Sequence, residues 1–253
     1  MRLRLFSIGL IGIIAATAPG LVAQTPAADQ SQTARPRPGN ARDGDAPPTL
    51  EQMQRAVSRL RSGRIQRPNS WDALTPEQKD YVKGILTGPR GDISGPLSVM
   101  MASPGLGDLT QRAMAFARFS GREGFSSVNP KYSELGILMV ARVWTAEYIW
   151  NAHNRYAVQV GVPADVVEAI RLGKRPEKME KDIETIYTFA NEFLTNKKVS
   201  DATFQSARAV LGGDRGIVDL TGVMGLYQIS SMMVVVDQTP LAEGAKPALP
   251  PLN

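Results

Sequence analysis

Cysteine is absent from this chain of 253 residues. That absence excludes disulfides, zinc–thiolate sites, iron–sulfur clusters and any thiol nucleophile. Histidine occurs once, as His153, so a metal site needing several imidazole ligands is excluded too. A carboxylate-rich metal site stays open in principle, but no motif for a metal or a haem is present, and no cofactor is expected. Aromatic residues are few, at 6%. There is no block of five or more like charges, and the net charge of +5 is scattered. Removal of Arg2 and Arg4 with the leader described below leaves +3. That excess is too small and too dispersed for a nucleic-acid partner. Internal repeats are lacking, and no convincing strand pair is found. Val234-Val235-Val236 is the only β-like run.

What remains is a leader, a linker and a helical domain. Arg2 and Arg4 precede an apolar run from Leu5 to Ile14, and Leu21-Val22-Ala23 ends in a small residue before Gln24. This pattern predicts a signal peptide over 1–23, cleaved near Ala23, and a periplasmic or secreted protein. A retained anchor is the alternative, but Pro19 and Gly20 interrupt a stretch already short for a span. Residues 24–48 are rich in Ala, Pro, Gln, Asp and Arg with almost no large apolar side chains. Such a segment buries too little surface to offset its ordering entropy, so a disordered linker is expected.

From Thr49 to about residue 240 the period is helical. Thr49 with Gln52, and Thr75-Pro76 with Gln78, are capping boxes. Gly95-Pro96 opens a short helix through Met101, and Ser103-Pro104 one reaching about Phe119. Further helices are expected at about 133–143, 146–160, 163–173, 179–197 and 200–212. The last, from about Arg215 to Val236, is apolar nearly all round, as in a helix buried within protein. Residues 241–253 read as a Pro-rich extended tail. The fold class is therefore all-α.

The segment Ser133-Glu134-Leu135, Ala141-Arg142-Val143-Trp144 and Glu147-Tyr148-Ile149-Trp150-Asn151-Ala152-His153 resembles the carboxymuconolactone-decarboxylase family, within the AhpD-like superfamily. Gly95-Pro96-Leu97 with Ala102-Ser103-Pro104, Gly161-Val162-Pro163 with Val167-Glu168-Ala169-Ile170, and Val199-Ser200-Asp201-Ala202-Thr203 agree in order and spacing. The resemblance covers roughly Leu74 to the C-terminus. It implies an AhpD-like helical bundle and a homo-oligomer, commonly a trimer or hexamer. Redox members carry a Glu, a Cys-x-x-Cys and a His. Here Glu134 and His153 hold the Glu and His positions, while Ala146 and Ile149 replace both thiols. Peroxiredoxin-like activity, which the superfamily would suggest, therefore has no thiolate to perform it.

The family's named reaction decarboxylates a lactone acid. The resemblance implies His153 as proton donor, with Glu134 orienting the ring and raising its basicity. Ala146, Ile149 and His153 share one helix face, and the two small or apolar residues are expected to leave a pocket floor below the imidazole. Arg142 is the candidate for holding a substrate carboxylate, and Trp144, Tyr148 and Trp150 for walling a pocket around a small carboxylate or lactone. Glu147 and Asn151 are expected to face outward. Decarboxylase-like relatives commonly carry Tyr-Glu-Trp where this chain has Tyr148-Ile149-Trp150, so one acid of that pattern is missing. A noncatalytic binding or scaffold protein on the same fold is the competing reading.

Overall fold

The computed structural model describes residues 47–119 and 124–252. The leader, most of the linker and Asn253 lie outside the described residues. The described residues belong to one compact unit. Among them the regular structure is wholly helical. The α-helices are α1 (Leu50–Ser58), α2 (Pro76–Thr87), α3 (Pro96–Val99), α4 (Pro104–Arg118), α5 (Pro130–Val143), α6 (Glu147–Gln159), α7 (Ala164–Arg171), α8 (Lys181–Asn191), α9 (Asp201–Val210) and α10 (Asp214–Asp237).

Local chemistry starts these helices where the sequence places them. Thr49 and Gln52 exchange side-chain-to-backbone hydrogen bonds of 2.8 and 3.2 Å, and Thr75 and Gln78 do the same at 3.0 and 3.3 Å. Each pair satisfies two donors that a helix start leaves open. Proline occupies the first position of α2, α3, α4 and α5, where its missing N–H costs nothing. At α5 the Asn129 side chain also accepts from the Lys131 N–H.

Helix α5 is the axis of the bundle. Every residue from Ser133 to Arg142 is buried, and α10, α6, α8 and α7 pack around it. Gly136 faces α10 closely: a Cβ there would lie 3.1 Å from Met224. Helices α5 and α6 meet at a corner where Thr145 takes a positive φ of 47°, a conformation a β-branched residue adopts only under constraint.

Helix α10 departs from expectation. Its inner face, Leu220, Val223, Met224, Tyr227, Ser230, Ser231 and Val234, is buried at helical spacing. Its outer face is not. Val218, Ile229, Met232, Val235 and Val236 are exposed, so the all-round apolar character is only half used within one chain.

The end of α10 is pinned by a buried ion pair. Asp237 Oδ2 lies 2.6 Å from Arg67 Nη2, with both side chains at most 1% exposed. Asp237 also accepts from the Ile65 N–H and the Thr239 hydroxyl, and Arg67 donates to Ser98 Oγ. Burial raises the Asp237 carboxyl pKa, but its hydrogen bonds, led by Arg67, more than offset this and hold it below the usual carboxylate range. Gly63 is required here, since a Cβ would fall 2.1 Å from the Asp237 carbonyl oxygen. Breaking one partner of such a pair strands the other charge in the core. Asp237→Ala is therefore expected to cost about 3–5 kcal/mol in urea unfolding. A loss below about 1 kcal/mol, the scale of an exposed pair, would show that the pin carries no weight.

Candidate functional site

Glu134 sits at the start of the second turn of α5, on a helix buried on every side. His153 sits two turns into α6. The corner at Thr145 turns α6 back along α5, and the two side chains meet: His153 Nδ1 lies 2.7 Å from Glu134 Oε2. The imidazole is 4% exposed and the carboxylate residue 2%.

Two further residues complete the cluster. Arg118, the last residue of α4, places Nη1 3.0 Å from the Tyr227 hydroxyl, to which it donates. The same atom is 3.3 and 3.2 Å from His153 Nδ1 and Nε2, and 3.8 Å from Glu134 Oε1. The two ring lone-pair directions diverge, so one donor equidistant from both nitrogens lies along neither. The Tyr227 ring stands edge-on to the imidazole, with centroids 4.9 Å apart at 86°. The Arg118 side chain is 24% exposed, and its guanidinium reaches Tyr156 at 5.7 Å. Arg118 thus links the buried pair to the surface.

Electrostatics fix the resting protonation state. Burial pushes the His153 pKa down; Glu134 works against this, and Arg118 adds to it. The net direction is downward. Desolvation is the leading cause, and the Arg118 cation beside the ring adds to it by disfavouring a second positive charge there. The guanidinium itself loses by burial but is held above its ordinary value by Tyr227 and Glu134. This direction favours a neutral ring at pH 7, and a neutral ring beside a carboxylate at 2.7 Å is oriented to donate Nδ1–H to Glu134. Glu134 does raise the basicity of the ring, as expected, but desolvation is the larger effect and the net shift is downward.

The other candidates do not join this cluster. Arg142 is buried at the far end of α5, donating to the Pro250 carbonyl at 2.9 Å and to Thr145 at 3.4 Å. Trp150 is a core residue, 1% exposed. Trp144 is half-buried beside the corner, and its indole N–H is buried without a protein acceptor. Tyr148 packs on Gly95, where a Cβ would lie 2.3 Å from its ring, and lines a cleft of about 810 Å³ between α1, the 86–98 segment and Thr239–Ala242. A second cleft of about 600 Å³ lies between α2 and the start of α4. Neither is lined by Glu134 or His153. The expected pocket floor is also corrected: Ala146 and Ile149 are packed in the core, and Arg118 and Tyr227 crowd the imidazole.

Arg118 and Tyr227 carried no signal as site residues in the sequence, since 35 and 109 positions separate them from their contacts. The nearest hint was Tyr227 itself, a polar aromatic on the apolar register of the last helix.

One pH effect follows. A histidine held neutral by the fold binds a proton in the unfolded chain first. Stability contributed by neutral His153 is present above the ordinary imidazole value of 6.5 and is lost as pH falls below it. Between pH 7.5 and 5.5 the native chain should lose unfolding free energy as pH falls, with a slope from this group of at most about 1.4 kcal/mol per pH unit. His153→Gln should flatten that slope in the same chemical-denaturation series. Identical slopes for the two chains would mean that His153 takes up its proton as readily folded as unfolded.

No family model matches the chain, and no curated protein matches it. Among solved structures, an uncharacterized peroxidase-related protein from Silicibacter sp. TM1040 is similar, with a TM-score of 0.56 over 72% of this chain and 93% of that one. At 14% identity the likeness is one of fold, and the chain shares the helical architecture of a peroxidase-related protein while lacking any cysteine.

Proposed function

We propose that this chain is an exported protein of the carboxymuconolactone-decarboxylase type, acting by acid/base chemistry on a small carboxylated or lactone-like molecule. The observation that carries the reading is the 2.7 Å contact between Glu134 and His153 inside a charge-balanced, buried cluster. In this reading Glu134 orients the ring, leaving Nε2 as the base. Nε2 takes a proton from a carbon next to a carbonyl. The C–H electron pair forms the new carbon–carbon double bond, the carbonyl π pair moves to oxygen, and the resulting enolate is held by Arg118 and the Tyr227 hydroxyl. Glu134 answers the imidazolium so formed, and the proton returns to carbon to close the cycle.

Proton transfer is favoured over decarboxylation within this reading. Loss of carbon dioxide needs an acid poised to protonate the dienolate, whereas a neutral buried imidazole rests as a base. Arg118 takes the anion-holding role first considered for Arg142, because it adjoins the pair and reaches solvent.

The test is deuterium wash-in, followed by NMR, on a panel of unsaturated γ-lactone acids and β-keto acids. The native chain should accelerate exchange at the acidic carbon, and His153→Gln should lose about 10²–10⁴-fold of that rate. Exchange equal in the two chains, or none above buffer with any panel member, would remove the proposal. The second outcome favours a scaffold role, which has its own support: neither cleft reaches the pair. In that role the same substitution mainly lowers the melting temperature.

We also propose that the chain assembles with copies of itself. Val218, Gly222, Gly225, Ile229, Met232 and Val236 repeat at alternating steps of four and three along the outer face of α10. That is the spacing of a helix–helix seam. A Cβ at Gly222 or Gly225 would meet nothing within 4 Å, so the seam's middle admits a close neighbour. Light scattering at micromolar concentration should give a trimer or hexamer, and Ile229→Glu should shift it to monomer. A native monomer, or a variant assembled as before, would count against the seam.

A further inference from the structure

The C-terminal tail lies in a site built to read backbone. Glu147, expected to face outward, instead accepts the Ala248 N–H and the Leu249 N–H, one on each carboxylate oxygen, both at 2.8 Å. Arg171 donates to the Ala248 carbonyl at 2.7 Å, and Arg142 to the Pro250 carbonyl at 2.9 Å. Arg171 is itself held by both oxygens of Glu168. Leu249 is 8% exposed. Gly173, at φ +69°, completes the floor: a Cβ there would lie 3.1 Å from Leu252 and 3.4 Å from the Arg142 guanidinium.

The chemistry is that of extended-peptide recognition. One carboxylate takes two successive N–H groups, and two guanidinium groups take the carbonyl between them and the one of Pro250 beyond. The prolines at 247, 250 and 251 have no N–H to satisfy and restrict the backbone before it docks, so less entropy is lost on binding. Leu249 is the anchoring side chain. Residues 242–247, which join the segment to the end of α10, are exposed.

We propose that this corner of α5, α6 and α7 is a peptide-docking site whose occupant is the segment Ala248–Leu252 of this chain. The site recognises that segment through Glu147, Arg142, Arg171 and a Leu249 pocket, and it does so without needing the covalent tether. The same segment from a second copy therefore fits it as well as the chain's own.

Hydrogen exchange on the full chain tests this. The Ala248 and Leu249 amides should exchange at least tenfold more slowly than those of residues 243–246, and Glu147→Ala should erase the difference. Amides in α8 serve as the control that the variant is folded. Excess synthetic peptide spanning residues 244–253 should compete for the site and speed exchange of the chain's own two amides at least tenfold. The same peptide carrying Leu249→Asp should leave them protected. Amides 248 and 249 exchanging like their neighbours, protection surviving in Glu147→Ala, or protection unmoved by the unaltered peptide would each overturn the proposal. So would equal displacement by the Leu249→Asp peptide.

Discussion

A carboxylate buried on the central helix is the constraint around which this bundle is organised. Glu134 lies on the one helix whose residues are buried from Ser133 to Arg142. An ion in that position is tolerated only if neighbours supply charge and hydrogen bonds. Three other helices do so. Arg118 closes α4 against it, His153 comes from α6, and Tyr227 from α10 holds Arg118 in place. The cluster therefore sets the relative placement of four helices as well as a candidate reacting group. Buried polar groups satisfied in this way favour one packing arrangement over its neighbours, since a shifted helix would leave a charge unanswered.

The helical class, the caps and the helix boundaries were legible because they depend on residues three or four apart. Thr49 with Gln52 and Thr75 with Gln78 act over a single turn, and both boxes form. The pairing of Glu134 with His153 was legible only through family resemblance, since nothing local brings residues 19 apart together. Arg118 and Tyr227 were not legible at all. An arginine at the end of an amphipathic helix has the sequence appearance of a surface residue, and only the packing of α4 against α10 turns it inward. Arg67 and Asp237 illustrate the same limit, being 170 positions apart yet joined in the core.

The misplaced candidates have a common cause. Arg142 and Glu147 flank the α5–α6 corner, and the guanidinium fork suggested for Arg142 a carboxylate-holding share in the chemistry of the pair. Yet α5 rises about 12 Å between Glu134 and Arg142 at 1.5 Å per residue. That distance separates two polar centres on the same helices: the pair toward one end, and the tail-binding corner at the other. The aromatics divide likewise. Trp150 faces the core, while Tyr148 faces a cleft on the other side.

These two centres are joined mechanically by the corner itself. Thr145 holds a positive φ, and the Ala146 N–H returns to the Ala141 carbonyl at 2.8 Å, fixing how α6 leaves α5. His153 lies only two turns beyond, so a small rotation of α6 about that corner would carry its ring away from Glu134. The docked tail bridges both sides of the corner, through Arg142 on α5 and Glu147 on α6. The tail therefore touches both of the helices that present the acid and the imidazole, on either side of the corner that joins them.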